Sequence, residues 1–119
     1  MLFISPTAPH VDDETGVTEP CSRHMDLFPN AKAPRTPSFN PDDDVQSNKV
    51  GWIKDLIRMD KGNESFSDME FRNRAQALVG IDEMLEDVLK LLEQKDELDN
   101  TYSRCRLQTY PAQCMLPNH

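Results

Sequence analysis

The sequence predicts an all-α chain, with a disordered N-terminal arm followed by an αα-hairpin or coiled-coil segment. Three observations carry that expectation. Seven of the nine prolines lie at or before position 41, and residues 42–110 contain none. The proline-free half places apolar residues at helical spacing, above all in GIDEMLEDVLKLLEQKDELDN over 80–100. The chain as a whole is poor in apolar side chains, at 37% hydrophobic with a mean hydropathy of -0.68. Ordering backbone costs roughly 1–2 kcal/mol per residue. A 119-residue chain of this composition is therefore not expected to order throughout by itself.

Residues 1–40 read as the arm. Pro6, Pro9, Pro20, Pro29, Pro34 and Pro37 interrupt any helix, and the scattered apolar residues follow no period of 2 or 3.6. Residues 41–61 read as a short amphipathic helix. In NPDDD, Asn40 can cap, Pro41 suits the first helical position, and Asp42 to Asp44 face the positive end of the dipole. Ser47 is a competing start, because Gly51 weakens the early turns. Val50, Trp52, Ile53, Leu56, Ile57 and Met59 form the apolar side, and Gly62 supplies a stop.

Residues 67–107 read as a long coiled-coil-like helix. Ser67-Asp68-Met69-Glu70 has capping-box form, with Phe66 placed to staple against Phe71. Gly80 marks a kink or a close helix contact. With Ile81 at heptad position a, the a positions are Ile81, Val88, Lys95 and Tyr102. The d positions are Met84, Leu91, Leu98 and Cys105. Lys95 is the one polar a residue. Leu78, Leu85 and Leu92 fall at e and widen the apolar face beyond one seam. The first helix, through Trp52, Ile53 and Leu56, is expected to fold onto that side, or another chain's helix to lie there. The partner-binding set is thus Ile81, Met84, Leu85, Val88, Leu91, Leu92, Leu98, Trp52, Ile53 and Leu56. Residues 67–100 carry ten acids and four bases, so the opposite face is acidic and solvated. Residues 108–119 read as a flexible tail.

The net charge of -8 and pI near 4.7 disfavour nucleic acid and anionic membrane surfaces as partners. No run is long enough to span a membrane. Cys21, Cys105 and Cys114 form no C-x-x-C pair, which suits a reduced, intracellular address, cytoplasmic with the nucleus open. MLFISPTAPH has no basic region and does not read as a secretory signal. On that expectation the glycosylation sequon Asn63-Glu64-Ser65 is coincidental.

Short motifs sit in the two ends. Pro6-Thr7-Ala8-Pro9 resembles the PTAP late-domain motif bound by the UEV domain of ESCRT-I, which implies a peptide-groove partner for the arm. Tyr110-Pro111 with Met115 and Leu116 loosely resembles a YPxnL ligand, at stretched spacing. Leu107-Gln108-Thr109 loosely resembles the Q-T core taken up by dynein light chain, without its usual β-branched residue. Ser5-Pro6 and Thr36-Pro37 suit proline-directed phosphorylation.

Catalysis is not expected. Cys21-Ser22-Arg23-His24 is half of a zinc site, to be completed by His10, Cys105, Cys114 or His119. The three histidines lie in segments expected to be flexible, and no glycine-rich phosphate loop exists. No cofactor or metal is implied. The expected function is a small non-enzymatic interaction protein whose C-terminal helix pairs with itself or a partner. The alternative is a linear-motif adaptor acting through Pro6 to Pro9.

Overall fold

Asp60, rather than Ser67, starts the long helix. The computed structural model describes residues 1–104. The Asp60 carboxylate accepts the Asn63 amide at 2.8 Å, and its carbonyl accepts the Glu64 amide at 3.0 Å. The side chain thereby satisfies one of the donors that every helix start leaves open, while the carbonyl takes the first intrahelical bond. The helix, α2, runs Lys61–Gln94 and follows a single-turn helix, α1, at Asp43–Gln46. Two 3₁₀ turns, Ser22–His24 and Gly51–Asp55, complete the regular structure, with no strand among the described residues. The all-α class expected from proline distribution and periodicity holds.

The finer expectations are corrected in three places. Gly62 lies in the first turn of α2 and stops nothing, because the Asp60 cap precedes it. Ser67 lies inside the helix, so its capping box does not form. The first amphipathic helix is also absent. Gly51 adopts a φ of +52°, which breaks the helical run, and the span holds only the single turn α1 and the 3₁₀ turn. Beyond it, Asn40 clamps the backbone of Met59. Its Oδ1 accepts the Met59 amide at 2.8 Å, and its Nδ2 donates to the Met59 carbonyl at 3.0 Å. Those side-chain bonds replace the helical ones, so no αα-hairpin forms.

The chain divides into two units, Met1–Glu86 and Asp87–His119. In the first unit the arm has no regular structure beyond its 3₁₀ turn, yet it is ordered against α2: Thr18 is 1% exposed and His24 is also buried. In the second unit α2 ends in a Schellman turn. The Glu97 amide donates to the Leu92 carbonyl at 2.9 Å and the Asp96 amide to Glu93 at 3.0 Å. Asp96 takes the left-handed conformation that this turn demands, at φ +57°. The helix therefore stops at Gln94 and not near 107; residues 105–107 and the tail expected over 108–119 lie outside the described residues.

Candidate functional site: a polar seam between arm and helix

An irregular segment has backbone donors and acceptors that no ladder satisfies. Here α2 satisfies them with side chains. Asp68, Arg72 and Gln76 follow one another at four-residue spacing, and Glu83 returns to the same flank seven residues later. Asp68 Oδ1 accepts the Ala33 amide at 3.0 Å, and Arg35 donates to Oδ2 at 2.8 Å. Arg35 also sits 4.1 Å over the Phe39 ring. Arg72 donates to the Ala31 carbonyl at 3.2 Å. Gln76 Nε2 donates to the carbonyls of Met25 and Leu27, at 2.8 and 2.7 Å. Glu70 stands on the other flank. Its Oε1 accepts the Thr18 amide at 3.0 Å and its Oε2 the Thr18 hydroxyl at 3.2 Å.

The far end of the seam is a charged knot. Arg23 donates through Nε at 3.1 Å and also through Nη2 to Glu83 Oε2. His24 Nε2 lies 2.9 Å from Glu83 Oε1. Arg23 and His24 hold the Glu83 carboxyl below its usual range, against a smaller upward push from burial. At Asp68 burial pushes upward most strongly, but the Ala33 amide, Arg35 and Lys32 together outweigh it and hold the carboxyl low. His24 Nδ1 is buried and has no hydrogen-bond partner among the described residues. The His24 ring lies over Gly80: a methyl group there would meet Cε1 at 3.8 Å and Nδ1 at 3.9 Å. Gly80 therefore faces the arm at ordinary contact distance, and not another helix as expected.

The sequence-predicted partner face is split. In the first unit Ile81 and Met84 are half-buried and line a hollow of about 310 Å³ with Ala77, Gly80, Glu19 and Cys21. Its remaining wall is Pro6, Thr7 and Ala8, so the PTAP-like stretch is folded against the helix. Pro9 is half-buried, with its carbonyl 3.4 Å from the Thr18 hydroxyl. Leu85 is exposed. Trp52, at 72%, and Leu56 are exposed, and Ile53 is half-buried. In the second unit Val88 and Leu92 are half-buried, and Leu91 and Leu98 are exposed. The seam residues Asp68, Glu70, Arg72, Gln76 and Glu83 are polar and belong to no apolar stripe. The four-residue spacing of Asp68, Arg72 and Gln76 was the signal available.

The half zinc site is not assembled. Cys21 is exposed and its sulfur accepts from Arg23 Nη1 at 3.0 Å, while His24 is engaged by Glu83. His10 Nδ1 lies on the Val11 carbonyl at 2.7 Å. Cys105, Cys114 and His119 lie outside the described residues, as do the motifs at 107–116. Among the described residues no group of three His, Cys, Asp or Glu side chains is placed to hold a metal ion. No helix there is long and apolar enough to cross a membrane.

Comparison with known proteins gives this arm-and-helix chain a class: it is similar to sulfatases over most of its length. It is 35% identical over 105 residues to Sulfatase ppz1 of Metarhizium majus, covering 85% of this chain and 24% of that protein. The N-acetylglucosamine-6-sulfatase of Capra hircus is 31% identical over 103 residues, covering 85% of this chain and 17% of the relative. A protein of Caenorhabditis elegans, described as a homologue of the extracellular sulfatase Sulf-1, is 36% identical over 107 residues, covering 86% and 13%. The chain thus spans a quarter or less of the length of these curated relatives. No family model and no solved structure matches.

These matches overturn the expectation of a non-enzymatic interaction protein, its motif-adaptor alternative and the coiled-coil scaffold. They point to an enzyme family. The physical reason for the error is that an apolar helix face awaiting cover looks alike in sequence, whether the cover is a partner or the rest of one fold.

Proposed function

We propose that this chain is a segment of a sulfatase, contributing scaffold to an enzyme that hydrolyses sulfate esters. The observation that carries this is identity of 31–36% to sulfatases from several organisms along 83–86% of the chain. The unclosed apolar surface supports it. Ile57 is 94% exposed, and Trp52, Leu78 and Leu85 are open as well, while Ala77 is the only buried apolar residue described. A segment cut from a larger fold leaves such side chains for the remainder to cover. The seam is the segment's own contribution: it holds an irregular arm on one helix without a hydrophobic core. The relative described as a homologue of an extracellular sulfatase supports a secretory route for the parent enzyme, in place of a cytoplasmic one.

A chimera tests the assignment. The 105-residue matched segment replaces its counterpart in the Metarhizium majus sulfatase. Turnover of a chromogenic aryl sulfate or of N-acetylglucosamine 6-sulfate is measured beside the parent. Hydrolysis above the host background is the expected result. A chimera that melts cooperatively like the parent yet cleaves no sulfate ester contradicts the assignment.

A further inference from the structure

We propose that Asn63 is an N-glycan acceptor. Asn63-Glu64-Ser65 is the only N-x-S/T sequence in the chain, and its middle residue is not proline. The fold sorts these three residues. Asn63 lies exposed in the first turn of α2, tied only through its backbone amide to Asp60. Its side-chain amide makes no hydrogen bond among the described residues. Glu64 turns inward instead, where its Oε1 accepts from Asn40 Nδ2 at 2.7 Å. Ser65 is exposed, and its hydroxyl donates to the Lys61 carbonyl at 2.9 Å. That bond forms only once the helix closes, so the hydroxyl is open to the transferase on the unfolded chain. The folded helix then leaves the glycan in water, where so bulky and polar a group must stand.

The transfer balances simply. An isoprenoid-diphosphate oligosaccharide transfers its whole glycan: the anomeric carbon–oxygen bond of its first sugar breaks and a bond from that carbon to Asn63 Nδ2 forms. The amide loses one proton, and the isoprenoid diphosphate leaves with the bonding pair. The glycan also has a structural consequence. The side of α2 that bears Asn63 lies on the surface of the whole protein, so the remainder of the fold covers other sides.

This assignment rests on the sulfatase reading only for the secretory route. The test is independent of catalysis. The full 119-residue chain is expressed behind a cleavable endoplasmic-reticulum leader, and intact mass is compared before and after peptide N-glycosidase. The expected result is one glycan removed by the enzyme, with Asn63 converted to aspartate in the released peptide. Asn63→Gln and Ser65→Ala abolish it, and Ser65→Thr keeps or raises occupancy. A leader-cleaved chain that carries no glycan overturns the proposal, as does a glycan that persists in Asn63→Gln. A glycosylated chain whose chimera is inert would sink the sulfatase assignment and leave this one standing.

Discussion

Gln76 illustrates how a single side chain replaces a ladder. It is buried on α2, with its amide nitrogen on two arm carbonyls. Leaving buried acceptors without a donor costs about 1–3 kcal/mol. Gln76→Ala is therefore expected to lower unfolding stability in urea by an amount in that range; an unchanged midpoint would mean that the carbonyls are already served by water. Gly80 gives the opposite sign. The space beside it takes a methyl group at ordinary contact distance from His24. Alanine exceeds glycine in a helix interior by about 0.8–1 kcal/mol. Gly80→Ala is expected to raise the melting temperature, whereas a bulky Gly80→Leu would collide with the His24 ring and lower it. Glycine there is tolerated by the packing but not demanded by backbone conformation.

At the level of the element, α2 was legible as a long helix because residues 61–94 contain no proline and carry periodic apolar residues. Its ends were not. The Asp60 cap and the Ser67 box look equally good as strings, and the Asn40 clamp on Met59, nineteen residues away, decides where the preceding chain stops being helical. Ile81 and Met84, expected to meet a partner helix, line a hollow whose other wall is Pro6 to Ala8 of the arm classed as disordered. The seam was illegible for a plain reason: many of its partners are arm backbone groups, at Thr18, Met25, Leu27, Ala31 and Ala33, which the sequence does not rank. Carboxylates at the seam also set its response to acid. Asp68 and Glu83 have folded values below their ordinary 3.8 and 4.5. A depressed folded value contributes stability in full above the unfolded value, and that stability is lost as pH falls through the folded one. Helicity followed by circular dichroism is expected to stay level at neutral pH and to fall on acidification below about 4.5, more steeply in wild type than in Glu83→Gln. Equal acid profiles would mean that the Arg23–His24–Glu83 knot adds nothing to stability.

On the scale of the whole molecule, the polar interior and the apolar exterior belong together. The described residues of the first unit bury Thr18, His24, Asp68, Glu70 and Gln76 while leaving Trp52, Ile57, Leu78 and Leu85 open. A self-sufficient domain shows the reverse distribution. The proposed sulfatase segment accounts for it: hydrogen bonds fix the arm locally, and on that proposal the remainder of a larger fold covers the apolar side chains. The most direct measurement is amide hydrogen exchange at Thr18 and Ala33 in the full chain, compared with amides in the middle of α2. Their donors are held by Glu70 and Asp68 alone, with no ladder to share the protection. Slowed exchange at both amides, lost at Thr18 in Glu70→Ala and at Ala33 in Asp68→Ala, is the expected result. Exchange at the free-chain rate while α2 stays protected would show the arm detached and contradict the account.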